Sequence, residues 1–534
     1  INEPILGGSG QISGNFTVQS ANDLAVLLRA GALPADLTII EERTVGPSLG
    51  QDSIEAGTFA TGIAAILVFA FMVLAYGKLG VLASIGLAAN LVMIIAILTT
   101  LGATLTLPGI AGIALTLGMA VDSNVIIFER VREERAQGRS LIQSLDSGFR
   151  RALAAVVDAN VTTLIAAVIL FYMGTGPIRG FAVTLAIGIV TTVFTAFTLT
   201  RWLIAVWLRR NRPTEFPAGL VHYLPLDPKI NLMRWRNLAF ALSAAVSLFV
   251  AAMFFTTEMN LGIDFRGGSM IEVQARDGEA DPADVRARLG TLDIGEVQVQ
   301  EFGSAELMIR VEGQAEGGDT AEQTVVDKVR GVLENDYEFR RVEVVGPTVS
   351  SELAWTGTIG VIASMVAMLI YIWIRFEWQF GVGAIVSTAH DVIMIVGVYL
   401  LLDLEMNLTA IAAILTVVGY SINDTIVIYD RIRETLRKYK RMPLDELINL
   451  SLNQTFSRTI LTGVTTLFAL TALYIFGGEV IASFVLPIII GIFIGVYSSL
   501  FIAGPMLILF KLRPDMFDTD KEKTEAAKQA GAKA

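Results

Sequence analysis

"GMAVDSNVIIFERVREE" occupies residues 118–134, and "GYSINDTIVIYDRIRE" occupies residues 419–434, an offset of 301. Each is an apolar stretch of helical length that carries a carboxylate and an amide well inside it: Asp122 and Asn124 in the first, Asn423 and Asp424 in the second. A charged group near the centre of a hydrocarbon layer costs at least about 2.5–3.5 kcal/mol even on the lenient insertion scale. It persists only where it meets a partner, a water-filled cavity or a path for ions. The repetition therefore points to a membrane protein that buries acids for use.

Composition agrees. Of 534 residues, 53% are hydrophobic and 17% charged, and mean hydropathy is +0.61, a balance outside the range of soluble domains. A helix needs roughly 20 apolar residues to cross about 30 Å of hydrocarbon. Eleven spans meet that need, near 57–77, 80–100, 107–128, 153–173, 180–208, 236–256, 353–374, 379–402, 407–429, 457–476 and 480–510. The chain has no Cys and only two His, which excludes disulfides and thiolate sites and leaves little for a histidine metal cluster. The net charge of -11 argues against nucleic acid as a partner. Nothing resembles a P-loop: "GIDFRGG" (262–268) lacks the Gly-Lys-Ser/Thr ending and reads as a turn into an outer domain. ATP hydrolysis is not expected, so the chain is read as a transport protein and not an enzyme.

Lys and Arg set the orientation. The loops 129–151 and 430–456 hold six basic residues each among those that mark them as cytoplasmic, while the opposite hairpins 101–107, 174–179, 402–407 and 476–480 hold only Arg179. Residues 1–56 and 257–352 then face the other side. Within the latter, the order strand (268–274), helix (281–290), strand (296–301), strand (306–311), helix (319–335), strand (340–346) is that of a ferredoxin-like domain. Near the amino end, a helix (21–31) and a strand (37–46) precede "VGPSLG", which matches "VGPTVS" at the end of the second outer domain.

The expected organisation is the end of an outer domain (1–56), a transmembrane block of five helices (57–210), a cytoplasmic linker (211–232), one helix (233–257), a ferredoxin-like periplasmic domain (258–352), a second five-helix block (353–511) and a polar cytoplasmic tail (512–534). This is a polytopic α-helical membrane protein, a pseudo-symmetric two-block bundle with an α+β ferredoxin-like outer domain. Eleven helices are visible and twelve are implied, because repeat logic expects another helix and more outer domain ahead of Ile1. The blocks run in the same sense, as in parallel-repeat transporters.

Asp122 lies about 15 residues into its helix, roughly 22 Å from the outer surface at 1.5 Å per residue. Asp424 lies at a similar depth, and Arg458, entering from the cytoplasmic side in "NQTFSRTILTGVTTL" (453–467), is expected beside Asp424. An arginine holds a neighbouring carboxylate ionised, and moving it away lets the acid take a proton. The repeat is imperfect: Asp122 aligns with Asn423 and Asp424 with Ser123, while "VTTL" at 161–164 and 464–467 sets Arg458 opposite Ala155 and Asp158 opposite Leu461. A structural hydrogen bond is the rival reading for a single buried acid. For two at matching depth beside an arginine, function is favoured. Asp158, nearer the interface, is expected to bond backbone or Ser/Thr. Asp391, beside His390 and matched by Asn90 in the first block, is balanced between the two readings. Glu129, Arg130, Asp430 and Arg431 read as interfacial charges that end their helices.

Residues 29–50 and 102–134 resemble the carboxy-terminal half of SecD, and 262–274 and 413–434 resemble SecF. The whole resembles a SecD–SecF fusion of the resistance-nodulation-division superfamily, less the start of SecD. The resemblance implies an accessory subunit of the bacterial Sec protein translocase that uses the proton (or sodium) motive force to promote export across the cytoplasmic (inner) membrane, with periplasmic domains. It implies association with the SecYEG channel, the SecA motor, YajC and YidC, an unfolded preprotein as the moving partner, and a setting in membrane lipid. It carries the proton-relay role onto Asp122, Asp424 and Arg458; Asn124, Asp158, Asp391 and Asn423 are supporting candidates from the reading of the residues themselves. No cofactor is expected beyond the coupling ion. A small-molecule or lipid exporter of the same superfamily and a non-transporting assembly scaffold remain the alternatives.

Overall fold

The computed structural model describes residues 14, 16–30, 40–213, 215–216, 219–223, 225, 228–301, 305–314, 321–510 and 512. Most of the expected tail and parts of the linker lie outside the described residues. Eleven helices among those described are long and apolar enough to cross a membrane.

A short helix, α1 (Val18–Ala30), and a strand, β1 (Glu41–Val45), precede the first block. That block comprises α2 (Pro47–Tyr76), α3 (Lys78–Thr100), α4 (Leu107–Ala136), α5 (Leu141–Met173) and α6 (Gly176–Phe194). α6 continues through a π-helical segment, Thr195–Thr200, into α7 (Arg201–Asn211). Next come α8 (Arg236–Thr256) and the outer domain, with α9 (Ile263–Arg266), β2 (Gly268–Ala275), α10 (Pro282–Leu289), β3 (Val297–Glu301), β4 (Glu306–Glu312), α11 (Ala321–Leu333) and β5 (Tyr337–Val345). The second block is α12 (Pro347–Arg375), α13 (Trp378–Leu401), α14 (Leu408–Lys438), α15 (Leu444–Phe476) and α16 (Glu479–Ser498), the last running through a π-helical segment, Ser499–Ala503, into α17 (Gly504–Leu509).

The helix starts carry their own signals. Thr106 accepts from the Gly109 amide ahead of α4, with Pro108 in the first turn. Ser140 and Gln143 form a reciprocal capping box on α5. Asn407 caps α14 by accepting from Ala410. Pro47 and Pro347 stand at the first positions of α2 and α12, where a missing N–H costs nothing. Those two helices begin ten and six residues before the hydrophobic spans read from sequence, because their first turns are polar and project from the apolar layer.

α4 and α14 form the heart of the bundle. In α4, 89% of the most apolar window is buried and in α14 83%, against 17% in the peripheral helix of α8. α4 packs on α6 within its block and on α15 across the divide; α14 packs on α16 and on α5 in the same way. The crossings are close because small residues meet there. A Cβ at Gly118 would lie 3.1 Å from the Thr466 Cα, and one at the equivalent Gly419 would lie 3.5 Å from the Thr163 Cα. Exposed Trp202, Trp235, Trp355, Trp373 and Trp378 stand on the outer face, as interfacial aromatics do.

The outer domain has the expected strand order with every pairing antiparallel, β5-β2-β4-β3. The sheet also gains a fifth strand that its own segment does not supply. β1, from ahead of the first block, pairs with β5 over Glu41–Val45 against Val345–Arg341. Both strands lead through a Gly-Pro step into a membrane helix, α2 and α12. The two blocks therefore leave one sheet and enter the membrane from the same side. Gly267 and Gly268 let the chain turn into β2 at the centre of this sheet: their φ values are +76° and +114°, and a Cβ at Gly268 would lie 2.3 Å from the Val311 carbonyl oxygen. Gly268→Ala is expected to destabilise the outer domain by roughly 1–3 kcal/mol. A lowered midpoint of proteolytic resistance across residues 258–346 would show it.

Candidate ion-relay site between the two blocks

Asp122 on α4 and Arg458 on α15 come from different blocks, and the α4–α15 crossing brings them together. Arg458 Nη2 lies 3.7 Å from Asp122 Oδ1, with the side chains 12% and 20% exposed. The expectation that Arg458 would pair with Asp424, its neighbour within the second block, is corrected here. Asp424 instead accepts from the Thr459 hydroxyl at 2.7 Å. Its other oxygen, Oδ2, is buried with no hydrogen-bond partner among the described residues. Arg458 and Asp122 both lie within electrostatic range of it. Arg458 and Thr459 are adjacent on one helix, so a single turn of α15 serves both acids.

Magnitudes separate the two carboxylates. A unit pair near 4 Å interacts by about 4 kcal/mol at an effective dielectric near 20, which offsets more than half of the roughly 5–7 kcal/mol of placing both an acid and an arginine at this depth. Asp122 has that partner. Asp424 has one hydroxyl and an unsatisfied oxygen, and a buried acceptor without a donor costs about 1–3 kcal/mol. Arg458 therefore contacts Asp122 while standing within electrostatic range of Asp424.

The supporting candidates divide. Asn423, the repeat partner of Asp122, sits against the hydroxyls of Thr162 and Thr163 on α5 at 2.9 and 3.2 Å. It fills with neutral bonds the place that the Asp122–Arg458 pair fills across the pseudo-axis. Asn124 bonds back to Ala120 O at 3.3 Å and stays within its own helix. Asp158 does not bond backbone or Ser/Thr as expected. It accepts from Arg375 Nε at 2.6 Å and Tyr371 Oη at 2.8 Å, both on α12 of the other block. Asp391 is fully buried and saturated, with Ser421 Oγ at 2.6 Å, Ser498 Oγ at 2.8 Å and His390 Nδ1 at 3.1 Å. It braces α13, α14 and α16, whereas Asn90 in the first block reaches only Thr192, at 3.1 Å. Asp158 and Asp391 are braces; Asp122 and Asp424 are the acids left with capacity to change.

Arg130 and Arg431 do not merely end their helices. Arg130 donates to Glu133 at 2.7 Å and to Glu434 through two bonds of 2.9 Å. Arg431 donates to Glu133 at 3.0 Å and to Glu434 at 2.9 Å. This quartet fastens the carboxy-terminal ends of α4 and α14 across the pseudo-axis. Its signal was present as Arg-x-x-Glu at 130–133 and again at 431–434, on the same 301 offset.

Two blocks that enter the membrane from one sheet, cross each other through equivalent helices and hold acids and an arginine between them define a parallel-repeat membrane protein of transporter architecture. The chain belongs to the SecD/SecF family of protein export membrane proteins. The family model described as "Protein export membrane protein SecD/SecF, C-terminal" matches residues 29–210 and 324–513. The "SecD/SecF GG Motif" matches 252–279 and the "SecDF, P1 head subdomain" 1–35. The chain is 48% identical to protein translocase subunit SecDF of Brucella abortus over 94% of its own length and 66% of the relative's. It is 36% identical to SecDF of Bacillus subtilis over 94% of its length and 70% of the relative's. The crystal structure of SecDF from Thermus thermophilus, a translocon-associated membrane protein, superposes with a TM-score of 0.83 at 37% identity, covering 94% of this chain and 68% of that one. The chain thus spans about two thirds of the relatives it matches, and the resemblance read from residues 102–134 and 413–434 is borne out.

The Asp158 brace yields a direct check. Asp158→Asn and Arg375→Gln should each lower the thermal stability of the detergent-solubilised protein, and the double variant should lose less than the sum, with a coupling of about 1–3 kcal/mol. Strict additivity would mean that the two side chains do not stabilise each other.

Proposed function

We propose that this chain is an accessory subunit of the bacterial Sec protein translocase, working beside the SecYEG channel and the SecA motor in the cytoplasmic membrane, with its five-stranded domain in the periplasm. A cation gradient, of protons or of sodium, drives it through Asp122, Asp424 and Arg458. The observation that carries this reading is the uneven satisfaction of the buried acids: Asp158 and Asp391 are held by short hydrogen bonds, whereas Asp122 is held by a single 3.7 Å contact with Arg458 and Asp424 leaves Oδ2 buried without a donor among the described residues. YajC and YidC are further partners on this reading, which rests for them on the family alone.

The mechanism follows from the geometry. A cation that neutralises Asp424 removes its demand for Arg458 and leaves the arginine to Asp122; release reverses the preference. Each exchange shifts α15 against α4, and the Gly118–Thr466 crossing transmits the shift between blocks because nothing compressible lies there. One charge crossing 100 mV delivers about 2.3 kcal/mol, comparable with the differences that separate two packed states. The quartet at the cytoplasmic ends of α4 and α14 holds that side closed, so displacement is directed outward to the periplasmic domain. An extended preprotein emerging from the channel receives the motion there.

Export into inverted vesicles under separately imposed proton and sodium gradients tests the reading. Asp424→Asn and Asp122→Asn, each close in size to the native side chain, should reduce gradient-dependent export to the level seen without a gradient. ATP-driven transport by SecA should continue. Undiminished gradient-dependent export in Asp424→Asn would overturn the proposal.

A further inference from the structure

The motif Gly262–Gly268, "GIDFRGG", turns the chain into the outer domain. Its acid does more. Asp264 is 4% exposed and both its oxygens are used. Oδ2 accepts from the Leu408 amide, the first residue of α14, at 2.8 Å. Oδ1 accepts from Arg43 Nη2 on β1 at 2.6 Å. Burial opposes the charge of Arg43, but Asp264, Glu343 and Glu41 more than offset it and raise its pKa. The two segments around Asp264 are also laced together. Gly262 N donates to Met406 O at 2.8 Å and Met406 N to Asn260 O at 2.7 Å. Arg310 on β4 reaches Glu405 Oε2 at 2.5 Å and Asn260 Oδ1 at 3.0 Å. A Cβ at Gly262 would lie 2.5 Å from Glu405 Oε1 and would push that carboxylate from its place beside Arg310.

One carboxylate therefore joins three bodies. It stands in the outer domain, it caps the helix that carries Asp424, and it pairs with the strand that runs within two residues into α2 of the other block. An acid at a helix N-terminus is also favoured by the helix dipole. Leu408 and Asp424 are sixteen residues apart on α14, roughly 24 Å along a continuous helix. A helix is stiff over that length, so displacement at Asp424 reaches Leu408 nearly undiminished.

We infer that Asp264 is the positioning residue that couples the ion-binding helix α14 to the outer domain, so that movement at Asp424 becomes movement of the periplasmic sheet. The inference rests on the ion-driven reading above. Without Asp264, α14 keeps its Asn407 cap and its ion chemistry but is free to move without carrying the sheet. Ions should then pass with little work done.

The test uses the full-length protein in inverted vesicles with the rest of the translocase, measuring ion uptake with a pH- or sodium-sensitive dye alongside export of a preprotein. Asp264→Ala should retain gradient-driven ion uptake within about twofold of wild type while export falls about tenfold, in the range of coupling between linked sites. Asp264→Asn keeps an oxygen for the Leu408 amide and loses the charge facing Arg43, so its export per ion should lie between the two. If Asp264→Ala does not fold, the export-to-uptake ratio of Asp264→Asn decides alone, and a wild-type ratio overturns the inference. Export at the wild-type level in Asp264→Ala, or equal loss of uptake and export, would also overturn it. Asp424→Asn, run in parallel, should lose uptake itself. Continued export there would strike the ion-driven reading and not the coupling.

Discussion

A carboxylate surrounded by hydrocarbon has two stable fates. It can be saturated with donors and become a brace, or it can be left short of them and remain sensitive to any cation that arrives. This protein uses both. Asp391, with two serine hydroxyls and an imidazole nitrogen, binds three helices into one unit. Asp158, with Arg375 and Tyr371, ties the two blocks at another point. On the proposed ion-driven reading these fixed points limit what can move when Asp122 and Asp424 change their partners. Without the braces, neutralising Asp424 would relax its surroundings locally and transmit little.

Duplication supplied the frame and divergence supplied the chemistry. Gly118 against Thr466 and Gly419 against Thr163 are the same contact made twice. About one helical turn beyond this shared crossing the blocks part: Asp122 has an arginine where Asn423 has two threonine hydroxyls. A symmetric pair of ion sites would have no preferred direction of travel for the arginine between them. A single arginine and two unequal acids give the exchange two distinguishable states.

Much of this was legible beforehand, and the limits have physical causes. The helices, their order and the depth of Asp122, Asp424 and Arg458 follow from hydrophobic length and rise per residue. The ferredoxin-like order of the outer domain follows from strand and helix periodicity. The azimuth of Arg458 on its helix relative to two candidate acids depends on how α15 packs on α4 and α14, and depth alone does not decide it. Asp158 posed the same difficulty, since its partners lie on α12, 213 and 217 residues away. The strand at 41–45 was recognisable by pattern, but its place beside β5 is a pairing across nearly three hundred residues. The Arg130–Glu133 and Arg431–Glu434 quartet was readable in principle, because a repeated Arg-x-x-Glu on a repeated helix implies a shared meeting place.

The loan of β1 to the outer sheet bears on how such a chain is made. A polypeptide that began after the first block would fold its own four strands and leave the outer side of β5 as a bare edge, a ready template for unwanted chains. Joining both blocks in one molecule keeps the missing strand within a tethered radius and ensures that it arrives first from the ribosome. Where nature divides the same architecture into two products, something else has to shield that edge until its companion appears.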